Sequence, residues 1–153
     1  MDHSPVIVEQ EFNVSLETLW TVITEPEQMR QWFFENIPDF KAVVGFKTQF
    51  TVQSEERKFL HLWEIIEVQP QQKIVYSWKY GGYAGDAAVT FALSGKNDRS
   101  QLTVSHVVLK EFPQEIPEFR RGNCLGGWQY FIQKRLPDFL SEHNSKKSPR
   151  QMT

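Results

Sequence analysis

The sequence predicts an α+β domain in which one strand and two short helices precede an antiparallel meander and a long C-terminal helix. Three observations carry this. Phe46, Thr48, Phe50 and Val52 alternate with Lys47, Gln49, Thr51 and Gln53, the period-two pattern of a half-buried strand. Further strand-like segments follow at short intervals, joined by hairpin or loop compositions, which implies successive antiparallel pairing. Beyond Pro113 and Pro117 the period changes, and Leu125, Trp128, Ile132, Leu136, Phe139 and Leu140 recur three and four apart, the stripe of an amphipathic helix.

Taken in order, Val6 to Phe12 is the first strand. Ser15 follows as an N-cap, because its hydroxyl can accept from the free amides of a first turn, and Val14 and Leu19 are placed to staple across it. That helix runs to about Thr24. Pro26 suits the first position of a second short helix, where its missing amide is no loss, and Met29, Trp32 and Phe33 fall three and four apart along it. Pro38 closes the helical pair. The meander is expected over Phe46 to Gln53, Lys58 to Val68, Lys73 to Tyr80, Asp86 to Ser94 and Gln101 to Val108. Glu64 and Glu67 cannot both face solvent on a regular strand, so a bulge is expected near Ile65 and Ile66. It would bury Phe59, His61 and Trp63 before it and Ile66 and Val68 after it. Gly122, Gly126 and Gly127 each weaken the last helix by about 1 kcal/mol relative to alanine, which marks a close approach or open space. Pro137 should kink that helix or begin a separate final turn. Residues 1–141 read as a single domain and the polar stretch 142–153 as a mobile tail.

Composition narrows the class. A chain of 153 residues fits one domain, able to bury roughly 68 to 70% of its unfolded surface. The formal net charge is −2, from 17 Lys and Arg against 19 Asp and Glu, which leaves no basic footprint for nucleic acid. No apolar run is long enough to span a bilayer and no secretory leader is visible, so the expectation is a soluble protein of the cytoplasm. The one cysteine, Cys124, excludes an intramolecular disulfide and fits a reducing compartment; it reads as a small apolar helix residue.

The order of elements, with several specific residues, resembles the helix-grip fold of the START-like, or SRPBCC, superfamily, also called Bet v 1-like. Val14 to Trp20, then Thr24-Glu25-Pro26-Glu27 and Gln31-Trp32-Phe33, resemble its opening pattern of a tryptophan helix, a turn and a second tryptophan. Trp63 to Pro70 with Ile74 to Trp78 is similar to its paired strands, and Gly127-Trp128 with Ile132 and Leu136 to its closing helix. Within the superfamily, the resemblance is closest to the heat-shock-protein-90 ATPase activator homologue-like family, over roughly residues 6 to 141. It implies a curved antiparallel sheet wrapped around the long helix, with space between them for an apolar ligand. Two residues depart from the pattern. Glu25 replaces the usual aspartate, and Trp63 stands where glycine is common, so that its indole would shrink or divide the cavity.

The chain holds five tryptophans and twelve phenylalanines. On the implied fold, Phe50, Trp63, Tyr76, Trp78, Phe91, Trp128 and Ile132 are candidate ligand-binding residues, with Trp32 near a mouth formed by the second short helix. The alternative for all of them is a filled core. His61 shares its alternation with Phe59 and Trp63, and His106 with Leu102, Val104 and Val108, so both can point inward as ligand contacts or as hydrogen-bonded core histidines. No catalytic residue, metal site or cofactor is assigned. His3, His61, His106, His143 and one cysteine show no zinc spacing, and no phosphate loop, nucleophile elbow or dinucleotide fingerprint occurs. The glycines of Gly81 to Gly85 join two strands, as a hairpin loop at the cavity rim.

Three functions fit these residues. The first is non-catalytic binding of a small hydrophobic or amphipathic molecule, a lipid among them. Burying on the order of 300 Å² of such a ligand is worth roughly 7 kcal/mol, and lost freedom offsets several of these, leaving micromolar or weaker affinity. The second is a chaperone-linked interaction module, implied by the family resemblance. The third is a polyketide cyclase-like or dehydratase-like enzyme using His61 or His106. Monomer and homodimer are both compatible.

Overall fold

The computed structural model describes residues 4–141; the polar stretch expected to form a tail, 142–153, lies outside the described residues. Strand β1 (Val6–Phe12) leads into helices α1 (Leu16–Thr24) and α2 (Pro26–Trp32). Five strands follow: β2 (Lys47–Ser54), β3 (Arg57–Gln69), β4 (Lys73–Tyr80), β5 (Asp86–Lys96) and β6 (Arg99–Lys110). With β1 they form one six-stranded antiparallel sheet in the order β1-β6-β5-β4-β3-β2, so the first strand lies beside the last strand of the meander.

Local chemistry explains the element ends. Ser15 Oγ accepts the Thr18 amide at 3.1 Å, as an N-cap should. Pro26 opens α2, but Glu25 before it makes no capping bond with its longer side chain. Helix α2 stops at Trp32, well before Pro38. Arg30 instead fastens the following segment, donating to the carbonyls of Ile37 at 2.6 Å and Pro38 at 2.9 Å. The tight turn between β5 and β6 rests on Asn97 in the left-handed region, φ 59°, a conformation asparagine tolerates well.

The bulge in β3 lies between Ile65 and Glu67, and it corrects the expected facing of one residue. Ile65 takes the buried position at 1% exposure, whereas Ile66 is the extra residue and is 46% exposed. A bulged residue is left out of the ladder, so it swings off the face its neighbours share. Val68 returns to partial packing against the core.

After a short 3₁₀ turn (Pro117–Phe119), helix α3 (Arg121–Gln129) runs on through a π-helical turn (Tyr130–Arg135) and continues as α-helix over 136–141. The separate final turn expected at Pro137 is not formed, because the helix runs on through that residue behind this widened turn. Leu136 bonds back five residues to the Phe131 carbonyl, and the wider spacing ahead of Pro137 accommodates a residue that has no amide to donate. The helix is tied to β1 and to the residues before it: Gln133 donates to the Glu9 carbonyl at 2.9 Å and Arg121 to the Ser4 carbonyl at 2.6 Å. The core lies between the sheet and the helices, with Leu19, Met29, Trp32, Ile74, Tyr76, Phe91, Leu102, Ile132 and Leu136 fully enclosed. Among the described residues no helix is long and apolar enough to cross a membrane.

Candidate functional site

Packing fills only part of the space between sheet and helix. A cavity of about 270 Å³ is left, lined from β3 by His61, from β4 by Trp78 and Tyr80, and from β6 by His106 and Val108. The C-terminal helix supplies Cys124, Gly127, Trp128 and Phe131. Phe34, just beyond α2, and Phe112 with Phe119, between β6 and α3, complete the aromatic wall. The exposed residues Ser4, Glu111, Arg121 and Asn123 stand at its rim.

The alternation of the strands delivers the polar groups inside. On β3, Phe59, His61 and Trp63 share the buried face, and the Nδ1 atom of His61 lies 3.1 Å from the Phe59 carbonyl. Its ring stacks on Phe50 at 5.1 Å and meets Tyr80 edge-on at 4.8 Å. On β6, His106 receives a hydrogen bond at 3.2 Å from the indole N–H of Trp128 to its Nδ1. Burial removes water from both imidazoles and lowers each pKa to about 4, so both are neutral near pH 7. Trp78 donates its indole N–H to Tyr80 Oη at 2.9 Å, and burial pushes the Tyr80 phenol well above its ordinary range. Burial likewise pushes the Cys124 thiol up to about 11, which keeps it protonated and unreactive.

Four of the candidate residues, His61, Trp78, His106 and Trp128, come together on the cavity wall. The other six, Trp32, Phe50, Trp63, Tyr76, Phe91 and Ile132, sit in the packed core. Trp32 is fully buried, donating to the Val22 carbonyl at 2.9 Å and stacking on Phe33 at 4.7 Å. Trp63 packs against Phe50, Tyr76, Trp78 and Phe33 at 4.8 to 5.5 Å between ring centres. Trp78 is thus the boundary. One side of it faces the aromatic fill around Trp63, and the other borders the cavity with His61, His106 and Trp128.

The aromatic wall residues not singled out from the sequence are Phe34, Tyr80, Phe112, Phe119 and Phe131. Tyr80 follows Trp78 by two on a strand, and Phe131 follows Trp128 by three on a helix, so periodicity does point to these two. Phe34, Phe112 and Phe119 lie outside the long regular elements and carry no such signal. The Gly81–Gly85 loop braces this end of the cavity from behind, with Tyr83 packed on Phe59 at 5.6 Å and on Phe119 at 5.2 Å. Among the described residues no group of three or more His, Cys, Asp or Glu side chains is arranged to hold a metal ion.

The sequence pattern of the Activator of Hsp90 ATPase homolog 1-like protein family matches residues 13–141. No curated protein matches the chain in sequence. Several solved structures share its fold. DynU16, a protein of the dynemicin biosynthetic locus, aligns with a TM-score of 0.72 at 21% identity, over 92% of this chain and 48% of its own, so the chain spans about half of that protein. MLL2253 from Mesorhizobium loti aligns with a TM-score of 0.71 at 23% identity, over 91% of this chain and 98% of its own. The Aha1 dimer from Colwellia psychrerythraea aligns with a TM-score of 0.66 at 15% identity, over 88% and 94%. At these identities the likeness shows the fold alone.

Proposed function

The chain belongs to the Activator of Hsp90 ATPase homolog 1-like family of the START-like superfamily, and from that premise we propose that it binds a small hydrophobic or amphipathic molecule, without catalysis, between the sheet and the C-terminal helix. The observation that carries this reading is the aromatic cavity of about 270 Å³, with a glycine on its wall. Gly127 lines the space, and a Cβ there would meet nothing within 4 Å. A residue that weakens its own helix while leaving room beside an aromatic wall favours an occupied pocket over a packed core.

Binding without catalysis is supported by the state of the polar groups. A base whose pKa lies near 4 takes a proton poorly at neutral pH, which disfavours His61 and His106 as general bases in an enzyme. The same neutral rings serve well as hydrogen-bonding groups. The reading takes residues 1–141 as one cytoplasmic domain, monomeric or homodimeric, with no role for nucleic acid.

Native mass spectrometry of freshly purified protein, followed by organic extraction, tests the proposal. A stoichiometric hydrophobic species supports it. A bare protein that also fails to take up an apolar dye would sink it.

A chaperone-linked role is the second reading, favoured by the family and by exposed apolar residues at one end of the sheet. Val43 and Val44 are 59% and 62% exposed and lie close in the chain to Gly45, whose amide bonds to the Ile65 carbonyl beside the exposed Ile66. Capture of the 90-kDa heat-shock chaperone by the wild type and not by a Val43→Ser, Val44→Ser variant would support it. No capture, with chaperone ATPase turnover unchanged, counts against it.

A further inference from the structure

His61 and His106 are held by partners of opposite kind. A backbone carbonyl only accepts, so the 3.1 Å contact between His61 Nδ1 and the Phe59 oxygen is a hydrogen bond only if Nδ1 carries the proton. An indole N–H only donates, so the 3.2 Å contact from Trp128 Nε1 is a hydrogen bond only if His106 Nδ1 keeps a bare lone pair. A neutral imidazole has one N–H. His61 Nε2 is therefore left as an acceptor and His106 Nε2 as a donor.

Both rings line the cavity. Neither Nε2 is among the described side-chain polar atoms sealed off without a partner, which are Trp63 Nε1, Tyr76 Oη, Asp86 Oδ1 and Ser100 Oγ. The two imidazoles lie 5.6 Å and 6.2 Å from the Trp78 ring centre, one on β3 and the other on β6, with the Trp78 strand between them in the sheet. Both rings thus flank Trp78 on the wall of one cavity.

We propose that the cavity selects a neutral, largely apolar molecule with a hydroxyl or N–H group at one end and a carbonyl-type acceptor at the other. His61 Nε2 receives the ligand's donor and His106 Nε2 donates to its acceptor. This inference rests on the ligand-binding reading of the same cavity and adds the polarity of its two ends. The lowered basicity of both rings fits it, because neither offers a positive charge to a buried carboxylate. Among the lining residues the cation is Arg121, at the exposed rim, with Glu111 and Glu118 also bordering the cavity, so an anionic head group finds no buried counter-charge.

Two measurements test this. The first needs no ligand: nitrogen-15 NMR of the histidine rings should show Nδ1 protonated in His61 and Nε2 protonated in His106 at pH 7. Equal tautomers in the two rings, or the reverse pair, overturn the proposal whatever the protein binds. The second is titration with three matched probes followed by tryptophan fluorescence: 4-hydroxybenzophenone, 4-methoxybenzophenone and 4-benzylphenol. The first probe offers both groups and should bind about tenfold more tightly than either of the others, which lack the donor or the carbonyl. His61→Phe should erase the preference for hydroxyl over methoxy, and His106→Phe the preference for carbonyl over methylene. If all three probes bind equally well, the cavity reading stands and the assigned polarity fails. If none binds, the cavity reading fails and takes this inference with it.

Discussion

The ring of Phe112 occupies the place where a Cβ on Gly85 would stand. Gly85 has φ +119°, a conformation open to glycine and strained for other residues, and Phe112 is a buried wall of the cavity. Gly85→Ala therefore strains the backbone and also displaces the ring. The expected loss is about 2 to 4 kcal/mol in urea denaturation, with weaker uptake of an apolar dye. Gly82→Ala is the matched control, since φ is +82° there but a Cβ meets nothing within 4 Å. It should show only the backbone part, about 1 kcal/mol. Equal losses at the two positions would mean that Phe112 yields freely.

Gly127→Leu should separate stability from binding. The new side chain gains helix propensity, about 0.8 kcal/mol, and has open space beside it. It also fills part of the cavity that Gly127 lines, so the melting point should hold or rise while dye uptake falls at least tenfold. Gly126→Ala has the same open surroundings at a position off the cavity wall, and should stabilise without changing uptake. Unchanged binding in the Gly127→Leu protein would place the ligand elsewhere.

Acid should unfold the protein through its two buried imidazoles. Each has a folded pKa of about 4 against an ordinary value of 6.5, lowered by burial. Between those values the unfolded chain binds protons that the folded one refuses, so stability is complete above about pH 6.5, falls as the pH drops towards 4, and stops falling from this source below it. The loss is about 3 kcal/mol per ring. Urea midpoints at pH 7.5 and 4.5 measure it. A double His61→Phe, His106→Phe variant should flatten this part of the profile. Glu67 has its carboxyl held below the ordinary 4.5 by the hydrogen bond from Lys73, so what it adds to stability starts to be lost as the pH falls below about 4.5.

Glu25→Asp should stabilise the junction between α1 and α2. Glu25 sits at the N-cap of α2 with φ −89° and ψ 123°, suitable angles for a cap, but makes no capping bond. The shorter aspartate can reach back to the free amides of the first turn, for a gain of about 0.5 to 1 kcal/mol in urea denaturation. No gain would mean that the first turn is already satisfied by water.

The strands and helices were legible where one face of an element meets the core and the other meets solvent. In Lys73–Tyr80 the positions Ile74, Tyr76 and Trp78 face the core and the observed strand has the expected ends, although Val75 on the opposite face is buried as well. His61 and His106 were found the same way, as polar members of apolar alternations. The exposure of Ile66 was not legible. Either of two neighbouring isoleucines satisfies the pattern around a bulge, and strand pairing with β4 decides which is extruded. Phe34, Phe112 and Phe119 belong to irregular segments, where burial follows from what lies across the chain and has no period to reveal it.

Local periodicity, caps and turn residues determined which segments are strands and helices, that they pair as an antiparallel meander beside a long helix, and which faces point inward. These are interactions between residues a few positions apart, so the sequence carries them directly. Only the tertiary structure decided how the inward aromatics divide, with Trp63 in a filled core and Trp78 on a cavity wall. It also decided that His61 meets a carbonyl while His106 meets an indole N–H. Those outcomes depend on contacts between residues far apart in the chain, where the space left after packing and the partner each nitrogen finds are properties of the assembled layers.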